Sequence, residues 1–312
     1  MTGQLPYLSS EDIAARVGPR EARELLAQAL VEFDPATDPA RSNVAAGAGH
    51  LLLMPSTIGE ASGVKIACVA PDNPDRGLPR IQALYCLLDS ATLTPRAIID
   101  GSALTSLRTP AMSAVAADSL ADQDAEVMLV VGSGPQAVSH VRAMAEIRDL
   151  TRIVMTARDT ARLNSAVEGL VREGYPVEAG RASDASEADI IVCATSGREP
   201  VIADDDVAAG ACVVAMGSHE PDCRELPSAL MGRSLVVVED HETALREAGD
   251  VIQAIADGSL SHESLATVRD VVLGRVTRRS DAPNVFKGVG MSWQDLAVAA
   301  GAARAVGLDF GA

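Results

Sequence analysis

The spacing of apolar residues changes along the chain, and each change predicts a different kind of structure. Up to about residue 115, one amphipathic stretch predicts a helix from Ser10 to Phe33, opened by the capping signal Ser-Ser-Glu-Asp. Short alternating runs such as His50–Met54 and Gly63–Val69 follow, separated by turn signals at 71–75 and at Asp100-Gly101. This first zone therefore predicts an antiparallel α+β region.

From about 120 to 285 the pattern changes to short, continuously apolar runs that alternate with amphipathic stretches. Such runs are typical of parallel strands covered on both faces. The stretches between them predict helices, among them Gln136–Arg148 and Thr160–Glu173. The alternation predicts a doubly wound α/β domain. The predicted strands are Glu126–Val131, Arg152–Thr156, Asp189–Cys193, Ala211–Ala215 and Ser234–Val238.

A last stretch, 284–290, precedes a predicted helix over Ser292–Ala305 and leads the chain back to the first zone. A chain of 312 residues is long enough for two cores. The expected fold class is therefore α/β, with a doubly wound Rossmann domain over residues 118–286. A second, α+β domain is built from residues 1–117 and the C-terminal segment 287–312.

Composition narrows the classes of partner. The net charge is −17 and no block of Lys and Arg interrupts it, which argues against a nucleic acid or an anionic membrane surface. No apolar stretch approaches the roughly 20 residues of a membrane helix and no signal sequence is evident, so a cytoplasmic protein is expected. The five cysteines are scattered, mostly in apolar runs such as Ile190–Cys193, and predict buried thiols in a reducing compartment.

A glycine-rich loop lies at the first strand-to-helix junction of the second zone, Gly132-Ser133-Gly134-Pro135-Gln136-Ala137. Gly132 allows the tight turn, Gly134 lets a pyrophosphate approach the backbone, and the small Ala137 lets helix and strand pack closely. Pro135 suits a first helical turn, whose free amides and dipole attract phosphate. An ordinary glycine turn is the alternative, but the strand before the loop and the helix after it favour a dinucleotide site.

The next strand ends about 20 residues past this loop, where the dinucleotide fingerprint has the residue that contacts the adenosine ribose. Arg158 comes first there and Arg162 follows one helical turn later, which favours the 2′-phosphate of NADP(H). Asp159 keeps NAD(H) possible, and a solvated surface arginine is the alternative for Arg158. NADP(H) is therefore the favoured cofactor.

Arg108 is a candidate for binding a carboxylate. It precedes Thr109 and Pro110, which suit the N-cap and the first position of a helix over Ala111–Leu120. An arginine beside a helix N-terminus forms an anion site, and its fork can hold a carboxylate through two hydrogen bonds.

Lys65 is a second candidate, inside the apolar run Gly63–Val69. Its neighbours Val64 and Ile66 point to the opposite face of the strand, so Lys65 faces either water or a cleft. In a cleft it would need an anion, and burial would lower its pKa into the acid–base range. A third cation, Arg41, lies in a loop and has no argument of its own.

Signals for other chemistries are missing from the sequence. It contains no H-E-x-x-H, no C-x-x-C and no acidic cluster with metal spacing, so no metal site is expected. The acidic run Glu239–Glu242 is best explained as a strand end that continues into a helix. No G-x-S-x-G motif supports a hydrolase.

Taken together, these stretches make the chain similar to the ornithine cyclodeaminase/mu-crystallin family almost from end to end. The Leu-Arg-Thr segment ahead of the glycine loop is the most specific part of the match. The segments that carry the resemblance are Leu51–Pro55, Gly63–Lys65, Leu104–Thr109, Gly132–Ala137, Ala188–Thr195, Gly217–Asp222, Phe286–Gly290 and Gln294–Ala297.

The resemblance implies a homodimer whose first domain, completed by the C-terminal segment, supplies the dimer contacts and the substrate site. It implies that Arg41, Lys65 and Arg108 converge on the carboxylate and the imine or amine of a small amino or imino acid, with Met54 beside them. Lys65 and Arg108 would then be catalytic as well as substrate-binding. The expected cofactor-binding residues are Thr109, Gly132, Ser133, Gly134, Pro135, Gln136, Ala137, Arg158, Ala194, Thr195, Met216, Gly217 and Lys287.

One position departs from the family pattern. Ornithine cyclodeaminases have an aspartate in a Rossmann loop that corresponds here to Met216–Glu220, after the predicted strand Ala211–Ala215, and this sequence has His219 in that loop. A histidine can carry a proton near neutral pH, so His219 is a catalytic candidate, but it cannot hold an ammonium group as a carboxylate does. An exposed loop histidine without a catalytic role is the alternative.

The favoured function is therefore the reduction of a small, often cyclic imino acid, such as Δ1-pyrroline-2-carboxylate, to the amino acid. One alternative is an ornithine cyclodeaminase, which converts ornithine to proline with release of ammonia. The other is an NADP-dependent protein that binds a small ligand without catalysis.

Overall fold

The computed structural model describes residues 4–310. Its internal contacts divide the chain into two compact units. The first contains the described residues up to Thr109 and those from Gly290 onward, and the second contains Pro110–Val289. Within the described residues the first unit has a six-stranded sheet and the second an eight-stranded sheet. The expected fold class, a Rossmann-type α/β domain and an α+β domain, is confirmed.

The strands and helices are numbered in the order in which they occur along the chain. The strands are β1 (Tyr7–Leu8), β2 (Ser42–Ala46), β3 (Gly49–Ile58), β4 (Ala61–Val69), β5 (Ile81–Asp89), β6 (Pro95–Asp100), β7 (Val127–Val131), β8 (Arg152–Thr156), β9 (Val177–Ala179), β10 (Ile190–Cys193), β11 (Cys212–Ala215), β12 (Leu235–Val238), β13 (Ala266–Thr267) and β14 (Asn284–Lys287). The helices are α1 (Ser10–Ala14), α2 (Pro19–Glu32), α3 (Gly101–Leu120), α4 (Pro135–Ala145), α5 (Thr160–Arg172), α6 (Ser228–Arg233), α7 (His241–Glu247), α8 (Gly249–Ala256), α9 (Val268–Val272) and α10 (Ser292–Ala305).

The sheet of the first unit has the strand order β1-β6-β5-β4-β3-β2 and is antiparallel except for the β1–β6 pair. One row of cross-strand partners runs through Met54, Lys65, Tyr85 and Ile99. All four are buried, and α10 packs on the three strands β3, β4 and β5. The strand alternation therefore turns Lys65 towards the covered face of its sheet.

The N-terminal helix differs from the prediction. A single helix from Ser10 to Phe33 is wrong, because the chain forms α1 and α2 with a break at residues 15–18. The predicted start is confirmed, since Ser9 and Asp12 form a reciprocal capping box. The break ends at Gly18-Pro19, where proline supplies no amide for a continuing helix and is favoured at the start of a new one.

The start predicted for the helix after Arg108 is also wrong. Asp100 Oδ1 accepts from the backbone amides of Ser102 and Ala103, and α3 begins at Gly101. Thr109 is therefore not an N-cap, and Pro110 lies in the helix interior. A proline there removes one backbone hydrogen bond, but the helix continues on either side of it. Arg108 thus gains nothing from a helix N-terminus.

The second unit is a parallel sheet with the strand order β13-β12-β14-β11-β10-β7-β8-β9. All five predicted strands are present to within one residue at their starts. The sequence reasoning missed β9, β13 and β14. The last of these is inserted between β11 and β12, so the stretch that follows residue 283 completes the middle of this sheet before the chain returns to the first unit.

Burial of the cysteines is only partly as expected. Cys193, Cys212 and Cys223 are buried, but Cys68 is exposed and Cys86 is half-buried, so the prediction of buried thiols is wrong for Cys68. None of the helices within residues 4–310 combines the length and the apolar character that a membrane span requires.

Candidate active site

The glycine loop joins β7 to α4 in the geometry that the sequence predicts. Gly132 has φ 134°, and a Cβ there would lie 2.5 Å from the carbonyl oxygen of Ala194. Any other residue would be strained at this position and would also displace the loop after β10. Ala137 is fully buried against the strand, which leaves no room for a larger side chain.

The same loop has the features of a phosphate cradle. Gly134 is the N-cap of α4 and Pro135 is its first residue, so the following amides have no partner inside the helix. A Cβ at Gly134 would meet no atom within 4 Å, so the space beside the loop is open to a ligand. These features fit the pyrophosphate of a dinucleotide.

The two arginines after β8, Arg158 and Arg162, differ in their contacts. Asp159 caps α5 through the Arg162 amide at 3.0 Å and pairs with the Arg162 side chain at 3.3 Å. Arg158 is exposed, and within the described part of the chain its guanidinium makes no hydrogen bond or ion pair. β8 is the neighbour of β7, so Arg158 follows the strand next to the glycine loop.

Two further loops follow the carboxyl ends of β10 and β11, which are adjacent parallel strands. Ala194 and Thr195 begin the first loop, Met216 and Gly217 begin the second, and all four are half-buried. Thr195 donates to Glu225 Oε1 from its amide and its hydroxyl, both at 2.8 Å, and the Gly217 amide donates to Glu225 Oε2 at 2.6 Å. One carboxylate thus holds both loops.

The remaining two predicted residues of this unit have contrasting environments. Lys287 is 1% exposed, and its ammonium donates to the Ser218 carbonyl at 2.6 Å and pairs with Asp250 at 3.0 Å. His219 lies exposed in the loop after β11.

The predicted cations of the first unit gather around one carboxylate. Lys65 Nζ lies 2.7 Å from Asp295 Oδ2, and Arg108 Nε lies 3.4 Å from Asp295 Oδ1. Lys65 also donates to Thr105 Oγ1 at 3.2 Å, and Arg108 Nη1 donates to Gln294 Oε1 at 3.0 Å. Lys65, Arg108 and Asp295 are all buried. The arrangement carries net positive charge and suits an anionic ligand.

Local backbone geometry makes room for this cluster. Gly290 has φ 81°, and a Cβ there would lie 2.5 Å from Arg108 Nη1. A glycine is therefore needed where the chain re-enters the first unit. The first turn of α10 then presents Gln294 and Asp295 to Arg108 and Lys65.

Burial perturbs two ionisable groups here. Burial lowers the pKa of Lys65 to about 8, although the charge of Asp295 acts in the opposite direction and those of Arg108 and Arg41 add to the fall. Burial raises the pKa of Asp38 to about 6, against hydrogen bonds that favour its charged form. A lysine with a pKa near neutrality can transfer a proton in either direction.

The other predicted residues of the first unit lie at different depths. Met54 is the cross-strand partner of Lys65 and is buried. Arg41 is half-buried, and its charge is close enough to lower the pKa of Lys65. Thr109 is buried in α3.

Sequence reasoning assigned no role to Asp295, Gln294 or Glu225. Asp295 lies in the segment Gln294–Ala297 that carries the family resemblance, and its signal is a charged residue inside the apolar stretch that forms α10. Glu225 lies in an irregular segment with no periodicity, and only the folded chain brings it to Thr195 and Gly217.

Comparison with known proteins gives the evolutionary setting of these features. Residues 10–303 match the model of the ornithine cyclodeaminase/mu-crystallin family. The chain belongs to this family. A Δ1-pyrroline-2-carboxylate reductase from Bacillus thuringiensis subsp. konkukian is 35% identical over 258 residues, which are 80% of this chain and 79% of that protein.

Solved structures of the family have the same fold. The Thermococcus litoralis Δ1-pyrroline-2-carboxylate reductase in complex with NADH and L-proline has a TM-score of 0.92 at 28% identity, covering 99% of this chain and 100% of that one. An archaeal alanine dehydrogenase dimer with bound NAD has a TM-score of 0.91 at 27% identity, covering 97% and 96%. The fold of these enzymes thus extends over essentially the whole chain.

Proposed function

We propose that this protein is an NAD(P)-dependent oxidoreductase that reduces a small, often cyclic imino acid to the corresponding amino acid. The observation that carries the proposal is the convergence of Lys65 and Arg108 on the buried carboxylate of Asp295. A buried excess of positive charge is costly unless an anion binds there. The α-carboxylate of an imino acid supplies that anion.

The residues of the first unit divide the work of binding. The fork of Arg108, with Arg41, holds the substrate carboxylate. Lys65 donates a proton to the imine nitrogen while its ammonium is held by Asp295 and Thr105. Met54 provides an apolar surface next to Lys65 for the carbon skeleton of the substrate.

The second unit holds the cofactor on the glycine loop and the loops after β10 and β11. When bound, the nicotinamide supplies the hydride that the imine carbon accepts, so that C=N becomes C–N as the nitrogen takes the proton. NADP(H) is the preferred form, because Arg158 has no protein partner in the described chain while Asp159 is engaged by Arg162. His219 is a second candidate proton donor, and its exposure favours Lys65 over it.

We also propose that the protein is a homodimer. The face of the six-stranded sheet opposite α10 carries the row Leu53, Ile66 and Leu84 and the row Pro55, Val64, Cys86 and Ile98. These side chains are half-buried or exposed in the single chain. A contiguous apolar surface of this kind is typical of a protein interface, and the related alanine dehydrogenase is a dimer.

The test follows oxidation of NADPH or NADH spectrophotometrically against a panel of cyclic and acyclic imino acids, including Δ1-pyrroline-2-carboxylate. Turnover of imino acids, fastest with NADPH, is the expected outcome. In parallel, ornithine is assayed for ammonia and proline, and its turnover without added reductant would establish a cyclodeaminase instead. Binding of NADPH with no turnover of any substrate would leave a ligand-binding protein.

A further inference from the structure

Three buried side chains of the second unit form a charged network beneath the cofactor loops. They are Glu225, Asp250 and Lys287, and each is no more than 1% exposed. We propose that Glu225 is a positioning residue that fixes the loops after β10 and β11 in the conformation that binds the dinucleotide. Lys287 belongs to the same network through Asp250 and the Ser218 carbonyl. The proposal rests on the proposed function only in taking these loops as cofactor-binding.

The contacts of Glu225 point to a clamp. Its two carboxylate oxygens accept from three donors, two on Thr195 and one on Gly217. A Cβ at Gly217 would lie 2.5 Å from Glu225 Oε1 and would also collide with the Thr195 carbonyl. The two loops and the carboxylate are therefore packed in contact, and a shift in one loop is transmitted to the other.

Glu225 is itself held from below. Asp250, in the first turn of α8, accepts from the backbone amides of Glu225 and Leu226 at 2.7 and 2.8 Å. An acidic residue is favoured at this end of a helix. The segment that carries Glu225 is therefore anchored by a helix and not left as a free loop.

Lys287 completes the network from the end of β14. Its ammonium pairs with Asp250 and donates to the Ser218 carbonyl, in the loop that Gly217 begins. The ammonium group of this buried lysine is therefore engaged by two protein groups. Lys287 thus neutralises one of two buried carboxylates and fixes the second loop by a separate bond.

The charged form of Glu225 is the form that can hold three donors. Burial raises the pKa of this carboxyl, whereas the charge of Lys287 and the hydrogen bonds from Thr195 and Gly217 lower it. A glutamine would turn an NH2 group towards one of the donating amides and leave that amide unsatisfied. One loop would then separate from the other.

The test compares Glu225→Gln with Asp189→Asn in the full-length protein. Asp189 also accepts from two backbone amides, those of Glu126 and Val127 at 2.9 and 3.0 Å, but at the amino end of the same sheet. The measurements are the Kd for NADPH, from nucleotide fluorescence without substrate, and the melting temperature of the cofactor-free protein. We expect Glu225→Gln to raise the Kd about tenfold, as loss of a charged hydrogen bond does, while Asp189→Asn lowers the melting temperature and leaves the Kd within about twofold.

Unchanged NADPH affinity in Glu225→Gln, or an equal loss in both variants, would overturn the inference. If Glu225→Gln does not fold, Glu225→Asp serves, because it keeps the charge but is too short to reach both loops. A wild-type protein that binds NADPH but reduces no imino acid would refute the proposed function and leave this inference to be decided by the binding data.

Discussion

At the scale of single residues, the main feature of the first unit is a lysine on the buried face of its strand, where a surface lysine would not lie. Lys65 is 2% exposed, whereas its apolar neighbours Val64 and Ile66 are on the less buried face. Asp295 compensates the buried ammonium at 2.7 Å, and Arg108 shares the same carboxylate. A substrate carboxylate that engages Arg108 therefore changes the electrostatic surroundings of Lys65 directly.

The first prediction concerns the pH dependence of the reaction. Lys65 has a pKa of about 8, and the proposed mechanism uses it as the acid, so kcat/KM for imine reduction should fall as the pH rises through about 8. The charge of Asp295 raises this pKa, so Asp295→Asn should move the alkaline limb to lower pH. Lys65→Met should lose about 100-fold or more of kcat/KM at neutral pH. An alkaline limb that stays in place in Asp295→Asn would show that another group donates the proton.

The second prediction concerns Arg158 and the choice of cofactor. The exposed guanidinium of Arg158 has no partner among residues 4–310 and is available to a 2′-phosphate, and a charged hydrogen bond of this kind is worth about tenfold or more in affinity. Arg158→Ala should weaken NADPH binding by that factor and leave NADH binding unchanged, as measured by fluorescence titration. Arg172→Ala, at the far end of α5, is the control and should alter neither. Equal affinities for NADPH in wild type and Arg158→Ala would remove the assignment.

At the scale of elements, α10 links the predicted substrate cations. Asp38 lies three residues before Arg41 in the chain. Its Oδ2 accepts from the amide of Trp293, in the first turn of α10, at 3.0 Å. The next two residues of the helix, Gln294 and Asp295, contact Arg108 and Lys65. The carboxylate of Asp38 thus connects the segment of Arg41 to the turn that orders the other two cations.

The third prediction follows from the raised pKa of Asp38, about 6 against 3.8 for the free side chain. The folded state binds this proton more tightly, so protonation adds stability as the pH falls from about 6 to about 4, and that stability is absent at pH 7. Asp38→Asn should remove this dependence, so that wild type gains about 1 kcal/mol on the variant over this range, allowing for partial exposure. Denaturant titrations at several pH values measure it.

Asp34→Asn is the control for this experiment, because Asp34 is an exposed aspartate of the same segment. That variant should follow the wild-type pH dependence. A constant difference between wild type and Asp38→Asn across the range would contradict the raised pKa.

The elements also show which parts of the fold could be predicted. The β7–glycine–α4 unit depends on local residues, such as Gly132 at φ 134°, and local patterns predict it well. The start of α3 is mispredicted because Thr109-Pro110 is a strong local start signal, whereas the chain begins the helix at Gly101, after the capping side chain of Asp100, and accommodates the proline inside it. β14 was missed because four residues from a distant part of the sequence become a strand only between β11 and β12.

At the scale of the whole molecule, the burial of Lys65 and the proposed dimer both follow from the two faces of the six-stranded sheet. Helix α10 packs on the face that carries Lys65. The sequence predicts that Lys65 faces either water or a cleft, because strand alternation cannot show which face of the sheet is covered. Its apolar neighbours Val64 and Ile66 lie on the opposite face. In the folded chain that face carries the row Leu53, Ile66 and Leu84, and Leu84 is 52% exposed. A second copy of the sheet would bury this row.

The last prediction tests that interface with a matched pair of variants. Leu84→Asp places a charge at the β5 end of the apolar row, and burying it in an interface without a partner would be strongly unfavourable. Val171→Asp is the control, because Val171 is equally exposed, at 50%, but lies on α5 in the other unit. Light scattering coupled to size-exclusion chromatography should give a dimer for wild type and Val171→Asp and a monomer for Leu84→Asp. A monomeric wild type, or a Leu84→Asp variant that remains dimeric, would show that this face of the sheet is not the interface, and the apolar row would then have to be covered in another way.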